Sequence, residues 1–374
     1  MTHAQPLLSP ALLRKSNKIL FIAHLALGDF TYLQNCFAAF KEAYPHLEVH
    51  IWVDEVRRTA DEKQWPMLEK YALYDWLAAC PFFSRVYTKT YSPQLFDASL
   101  AEARAEHYPI VVSLATLRPH MYAGIARSIA PDGFVVGMRG AFSLLAPQHL
   151  LAWRKLDATL SPDPLHAVPG HHISDVYADW FHSLTGLAIA PPQRLPFVLI
   201  PDRWQLDARD KLAAWDFPGK GPLVFVNPFA KTKKRCWPLT RTAELIAAMQ
   251  RLPKWRDACF LVNAMPHELA GARAVVAAYD LPRTEFFSAT DNFFQLPAML
   301  AECDLIVSVE TAVMHLANAV HVPVVALMRQ KNPEWVPVDR AHSTVITAAK
   351  RRDWVREIPV QAVIDVLDKM DAGA

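Results

Sequence analysis

Four short segments gather the residue types that can move a proton or hold a phosphate. The first is Ala26-Leu27-Gly28-Asp29, in which Gly28 permits a turn and Asp29 opens a helix. An aspartate there serves the free amides of a helix start, and the same carboxylate at a strand end can take a proton from an acceptor hydroxyl. The second segment, Asn227 to Pro238, packs Lys231, Lys233, Lys234 and Arg235 around Thr232 and ends in Trp237-Pro238. A basic run is ordinarily a solvated face. Here the Trp-Pro pair anchors it, and a Lys or Arg so placed can meet a pyrophosphate directly.

The third segment is Ser308 to His315. Thr311 can cap the helix that begins with Ala312, and a helix N-terminus attracts anions. His315 lies one turn further along the same face. Glu310 just before the helix is a favourable partner for its dipole. The fourth segment, Asn263 to Glu268, closes an apolar strand. Glu268 there fits ordinary helix-start chemistry, and equally an acid that accepts from ribose hydroxyls.

These segments need elements to carry them, and composition limits which. The chain has 374 residues, enough for two domains, with 52% hydrophobic and 20% charged residues, so core material is ample. A net charge of +2 argues against a dedicated nucleic-acid binder. Only 11 residues are glycine, and neither G-x-G-x-x-G nor a Walker loop occurs, so phosphate binding must rely on helix starts and side chains. A nicotinamide dehydrogenase is disfavoured for the same reason. The five cysteines are scattered and never in C-x-x-C spacing, which suits a reducing cytoplasm and excludes a cysteine-based zinc site. His171, His172 and His182 lack a completing carboxylate or cysteine at useful spacing, and no D-x-D occurs where a sugar-nucleotide enzyme would seat Mg²⁺, so no metal is expected. The opening 1–17 segment reads as a polar leader rather than a secretory signal.

Apolar runs at 18–24, 47–53, 83–89, 109–115 and 133–138 alternate with helical patterns, and a further helix is expected over 174–184. A proline-rich stretch at 189–204 reads as a linker, after which runs at 222–228, 258–263, 304–309, 323–328 and 344–348 resume the alternation. This predicts an α/β chain of two doubly wound domains, 1–190 and 191–374. Ligands then belong at the carboxyl ends of the strands, in a cleft between the domains.

Taken in order, KILFIAHLALGD, VNPFAKTKKRCWPLTRTAELI and LPAMLAECDLIVSVETAVMHLANAVHVPVVALMRQKNPEWVP make the chain resemble glycosyltransferase family 9, the ADP-heptose:lipopolysaccharide heptosyltransferases. The last of the three is the most specific. The resemblance implies the GT-B fold, two Rossmann-like domains facing a central cleft, with the acceptor in the N-terminal half and the nucleotide sugar in the C-terminal half. It implies metal-independent, inverting transfer of heptose from ADP-heptose to a lipopolysaccharide inner-core hydroxyl. It places the enzyme in the cytoplasm, with a lipid-linked acceptor drawing it to the cytoplasmic face of the inner membrane. Residue by residue, Asp29 matches the catalytic base, Arg235 the donor-phosphate contact, Glu268 the nucleoside contact, and Thr311 with His315 the donor-phosphate helix start.

The sequence departs from that family at three places. The family's Asp-Thr-Gly is Glu310-Thr311-Ala312 here, Gly-Pro-Thr is replaced by Arg329-Gln330-Lys331-Asn332, and Ala23-His24 stands where the first strand often ends in a basic residue. Donor binding is expected from Lys231, Thr232, Lys234, Arg235, Glu268, Glu310, Thr311, Ala312 and His315, and acceptor binding from Gly28, Arg57, Arg58, Arg118 and Arg139. Transfer to a protein acceptor, and a catalytically inactive nucleotide-sugar-binding protein, are the alternative readings.

Overall fold

The computed structural model describes residues 5–140, 148–161, 170–215, 217 and 221–370. The first four residues of the expected leader lie outside them. The chain divides into two compact units, Met1–Arg194 and Leu195–Ala374. Each has its own buried apolar core.

The first unit is built on β1 (Lys18–Ala23), β2 (Glu48–Val53), β3 (Arg85–Tyr87), β4 (Ile110–Ser113), β5 (Phe134–Met138) and β6 (Ala158–Leu160). The second uses β7 (Leu223–Asn227), β8 (Cys259–Asn263), β9 (Thr284–Phe287), β10 (Leu305–Val309), β11 (Val324–Met328) and β12 (Ser343–Thr347). The strand orders are β3-β2-β1-β4-β5-β6 and β12-β11-β10-β7-β8-β9, with every pairing parallel. Counted within its own unit, each sheet therefore has the 3-2-1-4-5-6 order of the doubly wound dinucleotide-binding fold, reached here without its glycine fingerprint. Central strands such as β1, β4, β7 and β10 are almost wholly buried, which is why they read as unbroken apolar runs rather than alternating ones.

In this order the sheet changes direction between β1 and β4 in the first unit, and between β7 and β10 in the second. Connections leave in opposite directions on either side of that point and open a crevice at the carboxyl ends. Three of the four chemistry-bearing segments follow β1, β7 and β10, and the fourth follows β8.

Several elements had no clear sequence signal. The leader is not free: Ser9 caps a helix Pro10–Lys15, Leu8 and Leu13 are fully buried, and the N–H groups of Leu7 and Leu8 donate to Ser183 and Leu184 carbonyls. Strands β6 and β9 are short, and the helices Ala72–Ala79, Asp202–Trp215 and Gln295–Ala301 fill the long intervals between expected elements. The proline-rich stretch holds a short 3₁₀ turn, Pro191–Arg194, and gives way to helix at Asp202.

One packing relationship matters for the site. Phe181, on the helix Ile173–Thr185, stacks on Phe21 of β1 at 5.8 Å and meets Phe37 of the helix Leu27–Ala43 edge-on at 5.4 Å. The helix Ile173–Thr185 starts with a capping arrangement, in which the His172 ring accepts from Ser174 N–H and the Asp175 carboxylate accepts from His172 N–H. It stops at Gly186, whose φ of 78° is the left-handed conformation that ends helices. Both ends and the packed face are fixed, and so is the position of Tyr177 between them.

Candidate active site

In the first unit the helix after β1 begins earlier than the tetrad suggested. Ala26 is the cap residue, and Leu27, Gly28 and Asp29 are the first three helical residues. Gly28 is therefore not a left-handed turn residue. Asp29 does not cap from outside; it reaches back from the first turn, and its Oδ2 accepts from Ala26 N–H at 3.1 Å. Its Oδ1 accepts from the Tyr177 hydroxyl at 3.0 Å. Burial pushes the Asp29 pKa above its ordinary value, and the bonds from Ala26 and Tyr177, together with the nearby His24, only partly offset that rise. A carboxylate so placed binds a proton more tightly than an exposed one, the property a general base needs.

His24 follows β1, and its Nδ1 is buried with no hydrogen-bond partner among the described residues. Burial lowers its pKa, against the pull of Asp29 and Asp54. The Tyr71 hydroxyl donates to Leu25 O at 3.3 Å, and burial pushes its pKa up to about 12.

The arginines expected to meet an acceptor differ in their surroundings. Arg57 makes a forked bond to Glu55 at 2.7 and 2.6 Å and lies over the Tyr71 ring. Arg58 bonds Asp54 at 2.6 Å and lies 3.7 Å from the centre of the Phe96 ring, while Tyr122 donates to the other Asp54 oxygen. Both guanidinium charges are thus already balanced by carboxylates from their own loop. Arg118 is exposed and takes a left-handed conformation, φ 52°, immediately before Pro119 and the helix it starts. Arg139 is exposed directly after β5.

In the second unit a chain of side-chain amides crosses the strand ends. Asn263 Nδ2 donates to Asn227 Oδ1 at 2.9 Å, and Asn227 Nδ2 donates to Ser308 Oγ and Thr311 Oγ1, both at 3.0 Å. Thr311 Oγ1 in turn accepts from Val313 N–H at 3.3 Å, capping the helix Ala312–Ala319. The asparagines thus fix the rotamer of the capping threonine. His315 is buried in that helix, with its ring 6.0 Å from Trp335. Glu268 is more local than expected: its carboxylate accepts from Met265 N–H at 3.3 Å at the start of the next helix.

The basic segment folds as a loop with a single 3₁₀ turn, Lys233–Arg235. Lys231, Thr232 and Lys234 are exposed, and Arg235 is half-buried. The loop is closed by Cys236, whose sulfur accepts from Ala230 N–H at 3.2 Å, and by Trp237, whose indole N–H donates to Ile358 O at 2.9 Å. The anchoring role of the Trp-Pro pair is therefore physical: a fully buried indole ties the loop to a distant backbone carbonyl.

Glu310 is the least expected part of this region. Arg329 Nε and Nη2 donate to its two oxygens at 3.0 and 2.9 Å, and Arg329 N–H adds a third bond at 3.3 Å. Burial pushes Glu310 upward, but these bonds more than offset it and hold the carboxyl below its usual pKa. Tyr177, Asn227 and Arg329 were not among the expected site residues. Tyr177 lies 148 residues from Asp29 and carries no local signal. Arg329 did carry one, since its position and that of Glu310 both depart from the family pattern. Among the described residues no three His, Cys, Asp or Glu side chains converge as a metal site, and no helix is long and apolar enough to cross a membrane.

Comparison with known proteins agrees with this architecture. Residues 176–356 match the model of glycosyltransferase family 9 (heptosyltransferase). The fold is similar to that of the glycosyl transferase family 9 protein from Veillonella parvula, with a TM-score of 0.71 and 16% identity over 93% of this chain and 95% of that one. It is similar to ADP-heptose lps heptosyltransferase II of E. coli, with a TM-score of 0.67 and 16% identity over 94% and 97% of the two chains. It is also similar to E. coli heptosyltransferase WaaC, solved with ADP, with a TM-score of 0.65 and 16% identity over 94% and 99%. A search of curated protein sequences finds no match. The matched segment takes in Tyr177 and the second-unit strand ends but begins well after Asp29. By fold this chain is a GT-B protein, and residues 176–356 are similar in sequence to glycosyltransferase family 9 (heptosyltransferase).

Proposed function

We propose that the protein transfers heptose from ADP-heptose to a hydroxyl of a lipopolysaccharide inner-core acceptor, with inversion and without a metal. The acceptor oxygen attacks the anomeric carbon, its proton passes to the Asp29 carboxylate, and the bond from that carbon to the diphosphate oxygen breaks. Charge builds on the departing diphosphate, and preorganised positive groups are what lower the barrier to that step. Arg235, the lysines of its loop and the helix start at Thr311 supply them. In this reading Lys231, Thr232, Lys234, Glu268, Ala312 and His315 complete the donor region. Ala312 takes the place of a glycine, so its Cβ narrows the backbone approach open to the phosphate.

The observation that carries the proposal is Asp29: a carboxylate with a raised pKa, held by both oxygens, at the carboxyl end of the central strand of a GT-B protein's first unit. The relatives named above support the donor, since one is named for ADP-heptose and another was solved with ADP.

An amphiphilic acceptor is supported by exposed apolar side chains in the connections that leave β2, β4 and β5, namely Val56, Met67, Leu117, Met121 and Leu151. Side chains of this kind can lean on a lipid surface while Arg118 and Arg139 face anionic groups. We place the protein accordingly in the cytoplasm, meeting its acceptor at the inner membrane.

Incubation of the purified protein with labelled ADP-heptose and either inner-core lipopolysaccharide or a protein acceptor tests the proposal. Label is expected in the lipopolysaccharide. Label in the protein alone would move the acceptor to the other class, and binding of ADP-heptose with no transfer to either would point to an inactive binding protein.

A further inference from the structure

Glu310 follows β10 and Arg329 follows β11, neighbouring parallel strands in register as far as Val309 and Leu327. The two side chains are 6% and 7% exposed, so their ion pair is closed to water. The same Glu310 oxygen that bonds Arg329 Nη2 at 2.9 Å lies 4.0 Å from Nη1 of Arg235. Two arginines therefore stand at one carboxylate, and Arg329 holds it with three bonds. Arg329 is braced on its other side by the Trp354 indole, 5.0 Å away, a ring that Lys234 and Lys331 also approach at 5.5 and 6.0 Å.

Arg235, with a side chain 39% exposed, is the cation that the donor reading assigns to phosphate. A buried carboxylate stripped of its partner is costly and draws in a nearby cation. Without Arg329, that cation is Arg235.

We propose that Arg329 is a positioning residue that occupies Glu310 and so leaves Arg235 free to hold the diphosphate of a nucleotide sugar. The proposal rests on the donor reading above. It also brings together two positions at which the sequence departs from the family pattern, since the acid at 310 and the arginine at 329 form one ion pair. On this view Glu310 does not touch the donor.

The test is titration calorimetry with ADP, UDP and GDP on the wild-type protein and on Arg329→Gln, Glu310→Gln and the double variant. Arg329→Gln is expected to weaken the nucleotide that the wild type binds by about tenfold or more. Glu310→Gln is expected to bind at least as tightly as wild type, and the double variant to return to within about threefold. In transfer kinetics Arg329→Gln is expected to raise KM for the donor more than it lowers kcat.

Wild-type affinity in Arg329→Gln would overturn the proposal, as would a double variant no better than that single one. Lost binding in Glu310→Gln would also overturn it, by making Glu310 a direct ligand contact. Should Arg329→Gln fail to fold, the double variant is compared with wild type instead, and nucleotide binding more than about threefold weaker than wild type would overturn the proposal. A wild-type protein that binds none of the three nucleotides would remove the donor reading itself, a result distinct from binding that the variants leave unmoved.

Discussion

The Tyr177 hydroxyl donates to Asp29 Oδ1 at 3.0 Å, joining the helix after the first strand to one 148 residues later. The bond favours the ionised carboxylate, while burial of the same group disfavours it. Tyr177 is itself buried, and its own pKa is raised well above the ordinary value, so it remains a donor throughout the working range. Asp29 is thus poised between two opposed effects, and changing either one should move its titration.

Tyr177→Phe removes the favourable bond and keeps the ring packing. Asp29 should then hold its proton to a higher pH. The acid limb of kcat/KM, where the base becomes protonated, is expected to move upward, with activity approaching wild type at alkaline pH. A limb that stays in place would separate Tyr177 from the titrating group.

Asp29→Asn should separate stability from activity. The folded protein binds the Asp29 proton more tightly than the unfolded chain does, because the folded-state pKa is raised. Stability from this group therefore falls as pH rises from the ordinary carboxylate value through the raised one, and the penalty is fully present above it. The variant is expected to melt at or above the wild-type temperature at neutral pH, with its advantage shrinking in acid. A loss of stability at neutral pH would show that the carboxylate serves the fold.

Cys236 offers a chemical probe of the basic loop. It is the one cysteine of the five that is not buried, and it packs against the Ala230 backbone within that loop. Iodoacetamide is expected to label Cys236 first, and the nucleotide that binds should slow the labelling several-fold. Unchanged labelling at saturating nucleotide would place the ligand away from residues 231–235.

The Glu310–Arg329 pair should also matter to stability. Arg329→Ala takes from a buried acid the partner that holds it by three bonds, and because Arg235 can move onto Glu310 the expected cost in urea unfolding falls below the roughly 3–5 kcal/mol of an uncompensated buried charge. Because the folded-state pKa of Glu310 is lowered, its contribution is present above the ordinary carboxylate range and is lost as pH falls through the depressed value. A cost below about 1 kcal/mol would mean that Arg235 or water fully replaces Arg329 at the carboxylate.

The order of strands and helices was legible because central parallel strands are buried on both faces and leave unbroken apolar runs, as in KILFIA and LVFVN. Edge strands such as β6 and β9 were not, since short segments with partly exposed residues leave no such run. Thr311 was legible as a cap because capping is local. The start of the helix at Leu27 was misjudged because Asp serves equally well outside a helix or in its first turn. Pairings between distant positions, such as Tyr177 with Asp29 and Arg329 with Glu310, leave no trace in local spacing. They arise from how strand ends and helices converge once the sheets form.

The measurement closest to the central claim is transfer from labelled ADP-heptose by Asp29→Asn, run beside calorimetry with ADP on the same preparation. Loss of a general base typically costs 10²–10⁴ in rate. The account expects turnover to fall by about that much while ADP affinity stays within about threefold of wild type. Turnover within about tenfold of wild type, or a parallel loss of ADP binding, would contradict the assignment of Asp29 as the group that takes the acceptor's proton.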